Sequence, residues 1–275
     1  MRFICLTSLL ALTTLARAGE APQVSLLGTT ADGTRIEQVT VTNRLGMRLK
    51  FMDYGATLTA VEVPDRNGKL ANVILGMPDL PAYLKSKRRF GTVGRFAGRI
   101  GGMRYTLDGK EVDLTAGGQQ AAPGFERRVW QRSDFHDERS SGSMFTLVSP
   151  AGDQGFPGTV TVHVTYRLMD DSNEFRIEYA ATTDAPTVIN LTNHSYFNLA
   201  GEGESILDHL LTIPAGRFTP VDATLIPTGE LRPVAGTPFD FRHPTRIGAR
   251  IGEADPQFRI AGGYDHNFVL DEASG

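Results

Sequence analysis

The segment VINLTNHSYFNL, residues Val188–Leu199, carries the pattern from which the predicted fold and function are built. As an extended strand, it would place alternate side chains on two opposite faces. The second face is mostly apolar, and its members are Ile189, Leu191, Asn193, Ser195, Phe197 and Leu199. The first face has hydrogen-bonding groups without formal charge at neutral pH, and its members are Val188, Asn190, Thr192, His194, Tyr196 and Asn198. Because amide, hydroxyl, imidazole and phenol groups suit a neutral ligand rich in hydroxyls, we expect this face to bind a sugar.

Strand patterns extend along the chain on both sides of this segment. Helical periodicity is confined to Leu80–Ser86. The predicted strands are Val24–Leu27, Ile36–Thr42, Met47–Asp53, Leu58–Val63, Asn72–Leu75, Arg104–Leu107, Lys110–Leu114, Val129–Ser133, Met144–Ser149, Val160–Met169, Glu174–Thr182, Leu207–Ile213 and Asn267–Leu270. Many strands separated by Gly, Pro and Asp turns predict an all-β protein, a large antiparallel sandwich or barrel.

The first 18 residues have the pattern of an export signal. Arg2 supplies a positive charge, Phe3–Leu15 is largely apolar, and Ala16-Arg17-Ala18 is a small-x-small cleavage site. We therefore expect a signal peptide at 1–18, a domain at 19–275, and a periplasmic or secreted protein, the alternative being an irregular N-terminal tail. The only cysteine, Cys5, would leave with the signal, so the mature chain would hold no disulfide or thiol nucleophile.

The formal net charge of −3 gives no reason to expect nucleic acid or an anionic membrane as partner, and no sequence after the first residues resembles a membrane span. A local basic run contains Lys85, Lys87, Arg88 and Arg89. We interpret it as a solvated helix end or loop, with a phosphate site as the alternative.

Three segments carry the candidate site residues: His194 in the opening segment, Arg95 and Arg99 in GRFAGRI, and Asp265 in GGYDHNFVL. An imidazole is the side chain best suited to acid–base chemistry near neutral pH. Arginine forks and a carboxylate can both hold sugar hydroxyls. Each has a structural alternative: a structural histidine, a buried arginine ion pair, and a loop-capping aspartate. Tyr196 could equally be packed in the core.

Together these segments resemble the aldose 1-epimerase (galactose mutarotase) family. The matching motifs occur in the family's order: GRFAGRI, YTLDGKEVDL, GFERRVW, NLTNHSYFNLAG, PVDATLIPTGELRPVAGTPFDFR and YDHNFVL. The resemblance implies a large antiparallel β-sandwich, the supersandwich of the galactose mutarotase type. It also implies interconversion of the α and β anomers of a free hexose such as galactose or glucose, without metal or organic cofactor.

The resemblance assigns roles to particular residues. His194 matches the general acid that protonates the ring oxygen of the sugar. Arg99 and Asp265 match binders of sugar hydroxyls, and Tyr196 lies in the binding segment. Arg95 and Asn190 complete the predicted substrate-binding set.

The sequence departs from the family pattern at three places. Gly98 replaces the asparagine that usually precedes the second arginine, and Gly117–Glu126 lacks the family's second sugar-binding histidine. The family's general base is a glutamate downstream of YDHN, and the sequence stops at Gly275 before that position. None of four carboxylates near the C-terminus stands in the context of that base: Glu253, Asp255, Asp271 and Glu272. We therefore expect a domain incomplete at its C-terminus, from a fragment or a truncated gene.

Two other functions are compatible with the sequence. One is a non-catalytic sugar-binding paralogue that lacks the base. The other is a hexose-phosphate epimerase of the same superfamily, for which Lys87, Arg88 and Arg89 would supply the phosphate pocket.

Overall fold

The computed structural model describes residues 19–115 and 123–271. Two short α-helices occur in these ranges, α1 (Leu80–Lys85) and α2 (Pro256–Ala261). The strands are β1 (Glu20–Thr29), β2 (Arg35–Thr42), β3 (Arg48–Met52), β4 (Thr57–Pro64), β5 (Leu70–Asn72), β6 (Thr92–Val93), β7 (Arg104–Leu107), β8 (Lys110–Asp113), β9 (Gln131–His136), β10 (Ser140–Ser149), β11 (Val160–Met169), β12 (Phe175–Thr183), β13 (Thr192–Asn193), β14 (Leu210–Leu211), β15 (Arg217–Thr219), β16 (Arg232–Pro233), β17 (Thr245–Arg246) and β18 (Asn267–Val269). Within the described ranges, no helix is long and apolar enough to cross a membrane.

Two antiparallel sheets form the body of the molecule. The first has five strands in chain order, β1 to β5, and the second has four strands in the order β12-β11-β10-β9. Smaller antiparallel sheets accompany them: β7-β8, β6-β13, β14-β17 and β16-β15-β18. Since each large sheet joins neighbours in sequence, short turns suffice to connect the strands.

Alternating side chains of the two large sheets make the main core. Every second residue of β11 is buried, as the period of a half-buried strand requires. From the facing sheet, Phe51 of β3 stacks on Tyr166 of β11, with ring centroids 5.4 Å apart. Phe51 also meets Phe145 of β10 edge to face at 5.9 Å. The two sheets therefore close over one core, and the predicted all-β antiparallel sandwich is confirmed.

The opening segment differs from the prediction. Val188–Leu199 is not a continuous strand, because only Thr192–Asn193 pairs regularly, with Thr92–Val93. Isolated bridges join Asn190 to Phe96 and Phe197 to Ile74. Three successive stretches of the chain thus pair with this segment, and the change of partner interrupts the ladder. The strand predicted at Leu207–Ile213 is likewise reduced to the two residues of β14.

A separate aromatic cluster lies in the part of the chain after β14. Its buried members are Phe218, Val234, Phe239 and Phe258, with Tyr264 and Phe268 packed against them. The helix α2 contributes Phe258 and is closed at both ends, by the Asp255 side chain bonded to the Gln257 N–H and by Gly262 at φ 76°. This cluster fixes the turn that leads into β18.

Candidate active site

A cavity of about 600 Å³ lies beside the β6–β13 pair. Its described lining comes from three distant parts of the chain and consists of Arg89, Val93, Ala97, Gly98, Arg99, Asn190, Leu191, Thr192, His194 and Asp265. Of the residues predicted from the sequence, the fold thus brings His194, Arg99, Asp265 and Asn190 to one cavity.

Hydrogen bonds of His194 and of the preceding residue anchor this segment to the sandwich core. The backbone N–H of His194 donates to the carbonyl oxygen of Gly91 at 3.1 Å. The preceding residue, Asn193, donates from Nδ2 to the hydroxyl oxygen of Tyr166 at 2.9 Å. That hydroxyl donates in turn to the carbonyl of Ala56 at 2.7 Å. Because Tyr166 is fully buried, these bonds tie the segment to the sandwich core, and His194 lines the adjacent cavity.

Tyr196 supports His194 rather than lining the same cavity. The two rings are 5.1 Å apart at an angle of 52°, and the Tyr196 ring meets Phe90 edge to face at 5.6 Å. Tyr196 borders a different, more apolar cavity that also contains Phe197. A contact between Tyr196 and a bound sugar therefore stays a prediction, while its packing against the imidazole is observed.

The two arginines of GRFAGRI have different environments. Arg99 is exposed and lines the cavity, whereas Arg95 is completely buried. Both terminal nitrogens of Arg95 donate to backbone carbonyls at 2.7–3.0 Å, those of Ser149, Pro150, Pro157 and Gly158. Because Arg95 is completely buried and both of its terminal nitrogens donate inside the protein, it cannot hold a sugar in this cavity. The prediction that Arg95 binds substrate is therefore corrected to a structural role.

Asn190 connects the arginine loop to the histidine segment. Its backbone N–H donates to the carbonyl of Arg95 at 3.0 Å, and its carbonyl accepts from the Ala97 N–H at 2.8 Å. Its side-chain Nδ2 donates to the Ala97 carbonyl at 2.5 Å. That bond uses one of the two hydrogens on Nδ2, so the Asn190 side chain can still offer a ligand one N–H donor and its carbonyl oxygen.

Asp265 reaches the cavity because both of its neighbours are anchored in the aromatic cluster. The hydroxyl of Tyr264 donates to the carbonyl of Pro238 at 3.1 Å. Nε2 of His266 lies 2.9 Å from Oε1 of Gln257, and burial lowers the pKa of His266, against the opposing effect of Asp265. With its neighbours held inward, Asp265 is exposed and lines the cavity.

A second cavity of about 540 Å³ adjoins the first. The two share Arg89, Val93, Gly98 and Arg99, and the second also reaches Phe96, Glu126 and Gln154. Sequence analysis did not single out Arg89 or Glu126 as sugar-site residues. The indication for Arg89 was the basic run that ends there, interpreted as a solvated helix end or loop with a phosphate site as the alternative.

The described lining of the two cavities contains no metal-binding set. In the ranges 19–115 and 123–271, no group of three or more His, Cys, Asp or Glu side chains is arranged to hold a metal ion. The chemistry of the described lining is that of amide, hydroxyl, imidazole, guanidinium and carboxylate groups.

Comparison with known proteins identifies the family of the chain. The family model for aldose 1-epimerase matches residues 37–274. The chain belongs to the aldose 1-epimerase family. It is 44% identical over 231 residues to the galactose mutarotase of Sus scrofa, a match covering 82% of this chain and 64% of that protein. It is 40% identical over 248 residues to the aldose 1-epimerase of Escherichia coli strain K12, covering 87% of this chain and 69% of that protein.

Solved structures of the same family share the fold. The galactose 1-epimerase of Lactobacillus acidophilus matches with a TM-score of 0.82 and 30% identity, over 92% of this chain and 75% of that one. An aldose epimerase homologue from C. elegans matches with a TM-score of 0.72 and 31% identity, over 86% and 71% of the two chains. The present chain therefore spans less than the full length of its relatives, and 64% of the porcine one.

Proposed function

We propose that this member of the aldose 1-epimerase family interconverts the α and β anomers of a free hexose such as galactose or glucose. The observation that carries the proposal is the convergence of His194, Arg99 and Asp265 on one cavity. These are the three residues to which the family resemblance assigns the acid and the hydroxyl-binding roles. Relatives named galactose mutarotase and aldose 1-epimerase support the same activity.

His194 is the proton donor of the proposed reaction. Its imidazolium gives a proton to the ring oxygen of the sugar, and the carbon–oxygen bond at the anomeric centre breaks as a base removes the proton of the anomeric hydroxyl. The open-chain aldehyde turns about its neighbouring bond, and the ring oxygen attacks the other face. The imidazole recovers its proton from that oxygen as the ring closes, and the base returns its proton to the former aldehyde oxygen, which becomes the new anomeric hydroxyl.

Arg99 and Asp265 fix the sugar while the ring opens. A guanidinium presents several donors in a rigid fork, and a carboxylate presents two acceptor oxygens. The pair can therefore bind sugar hydroxyls both as acceptors and as donors of hydrogen bonds. Holding the ring in one place keeps the ring oxygen within reach of His194 throughout the reaction. The family resemblance places the base on a glutamate downstream of the segment that contains Asp265.

The balance of charge favours a neutral sugar over a sugar phosphate. The described lining of the two cavities contains two arginines, Arg89 and Arg99, and two carboxylates, Asp265 and Glu126. A phosphate carries up to two negative charges and is usually bound by an excess of cations or backbone N–H groups. The arginines and carboxylates are equal in number, and together they supply both donors and acceptors for the hydroxyl groups of a free hexose.

Polarimetry tests the proposal directly. Fresh α-galactose in buffer should lose its excess rotation faster with the purified chain than without it. Replacing the proton donor by His194→Asn should lower the rate by about 10²–10⁴-fold, the usual contribution of a general acid. Galactose affinity in that variant should stay within about tenfold of wild type, because the hydroxyl-binding residues are unchanged. A wild-type rate at the buffer background with galactose still bound would indicate the non-catalytic sugar-binding paralogue instead.

We further propose that the protein is exported, with residues 1–18 as its signal peptide. The support is the sequence pattern of Arg2, the apolar run Phe3–Leu15 and the small-x-small site that ends at Ala18. Expression in Escherichia coli followed by mass spectrometry of the periplasmic fraction should find a protein that begins at Gly19. Uncleaved protein confined to the cytoplasm would contradict the proposal.

A further inference from the structure

Arg89 lies on the wall that the two adjoining cavities share. It lines both, and its side chain is 55% exposed, so its charged end is accessible from the solvent. The residue that follows, Phe90, packs against Tyr196, whose ring contacts His194. Gly91 accepts the backbone hydrogen bond of His194. Arg89 therefore belongs to the segment that directly supports the candidate acid.

Glu126 explains how Arg89 is oriented. Its Oε1 lies 3.5 Å from Nε of Arg89, and its side chain is only 7% exposed. The carboxylate is packed closely against Gly124, where an added Cβ would come within 2.2 Å of Oε2. Oε2 has no hydrogen-bond partner among the described residues. A carboxylate that is fixed in this way can hold the Nε side of a guanidinium in place.

The contact through Nε has a consequence for the other nitrogens of Arg89. The guanidinium is planar, and its terminal nitrogens lie beyond Nε along the side chain. No hydrogen bond from either of these nitrogens to a described residue is present, in contrast to the fully occupied nitrogens of Arg95. An arginine held at one edge and open at the other resembles a binding group rather than a structural ion pair.

We propose that Arg89 is an additional sugar-binding residue of this site and that Glu126 is its positioning residue. Arg89 donates to a hydroxyl of the sugar on the side of the first cavity that opens into the second. Glu126 does not touch the sugar, and it acts by keeping the Arg89 fork at the shared wall. This assignment rests on the proposed function, since it deepens the account of the same site.

The test compares steady-state mutarotation of galactose by wild type, Arg89→Met, Arg89→Lys and Glu126→Gln. The Arg89→Met variant should raise KM by about tenfold or more, the loss expected for one hydrogen bond to a charged group, with little change in kcat. Arg89→Lys should restore affinity only in part, because an ammonium lacks the fork. Arg88→Met is the matched control, since this neighbouring arginine lines neither cavity in the described lining, and it should leave KM unchanged.

Non-additivity separates positioning from a general structural effect. If Glu126 acts through Arg89, Glu126→Gln should raise KM in the wild-type background and have no further effect in the Arg89→Met background. The same assay is then run with four deoxygalactoses, which lack the hydroxyl at C2, C3, C4 or C6. The increase in KM that Arg89→Met causes should be smaller for at least one of them than for galactose. Equal penalties for all four sugars, or fully additive effects of the two substitutions, would overturn the assignment.

Calorimetric titration of galactose distinguishes a failure of this inference from a failure of the proposed activity. A wild-type chain that turns galactose over, with an Arg89→Met KM within about twofold of it, overturns the role of Arg89 alone. A wild-type chain that binds galactose without turnover contradicts the activity, and the dissociation constants of the same variants then decide the role of Arg89. A wild-type chain that neither binds nor converts galactose contradicts both.

Discussion

His266 is a partly buried group whose protonation state bears on the position of its neighbour, Asp265. Its ring lies edge to face against Phe218 and Phe239, with centroids at 5.7 and 4.7 Å. One ring nitrogen, Nε2, meets Gln257, and the other, Nδ1, is buried with no hydrogen-bond partner among the described residues. A second proton would therefore stand on a nitrogen that has no acceptor in the described part of the chain, inside an aromatic cluster.

The expected consequence is a loss of stability on acidification. Burial lowers the pKa of His266 below its ordinary value of 6.5. The unfolded chain then takes up this proton at a higher pH than the folded chain. The contribution of His266 to the free energy of unfolding is therefore complete above pH 6.5 and is lost as the pH falls through the lowered pKa of the folded state. Thermal unfolding at a series of pH values between 5 and 8 should show the midpoint falling below about pH 6.5.

A variant separates this effect from other titrations. His266→Gln keeps a donor near Gln257 but cannot take up a proton in this range, so the midpoint should fall less steeply between pH 6.5 and 5. Wild type and variant with parallel profiles would show that another group controls acid stability. Galactose affinity measured across the same range reports whether Asp265 moves with its neighbour.

At the scale of elements, the loop Gly94–Ile100 joins a buried arginine to an exposed one that lines the cavity. Arg95 ties the start of the loop to two other loops of the sandwich, around Ser149–Pro150 and Pro157–Gly158. Four residues later, Arg99 stands in the cavity. Between them, Gly98 has φ 122°, a conformation that side-chain-bearing residues rarely adopt. The loop therefore turns sharply enough to place two arginines in opposite environments.

The two arginines should respond differently to the same substitution. Arg95→Met leaves several buried carbonyls without a donor, at about 1–3 kcal/mol each, so the free energy of unfolding should fall by at least about 3 kcal/mol. Arg99→Met removes an exposed side chain and should change stability by less than about 0.5 kcal/mol. Sugar affinity should show the reverse order, with the folded Arg99→Met protein binding more weakly. Urea unfolding and calorimetric titration measure the two effects, and a larger loss of stability in Arg99→Met would contradict the assignment.

This pair of residues shows where prediction from sequence ends. GRFAGRI indicates a tight loop with two guanidinium groups, but the partners of Arg95 lie 54 to 63 residues away in the sequence. Local pattern cannot tell which arginine meets them. The same holds for Val188–Leu199, in which alternation placed His194 and Asn193 on opposite faces, while three separate partner segments broke the predicted strand.

For the whole molecule, the architecture was more predictable than the site. The strand β11 was predicted with its observed bounds because its buried residues alternate over ten positions. The hairpin β7–β8 was predicted because Asp108-Gly109 is a tight-turn sequence, and in the structure these two residues have the positive φ values of 50° and 75° that such a turn requires. Arg89 and Glu126 could not be found in this way, because their pairing depends on segments 37 residues apart that meet only in the folded chain.

The convergence of distant segments has a thermodynamic consequence for the molecule as a whole. His194 is tied to the core between the two large sheets, whereas Asp265 is carried by the aromatic cluster around Phe239. A hexose bound as proposed to both residues would act as a reversible cross-link between two separately packed regions. Local opening of either region would then break contacts with the sugar, so its free-energy cost would rise with sugar concentration. Hydrogen exchange of both regions should therefore slow together when galactose is added.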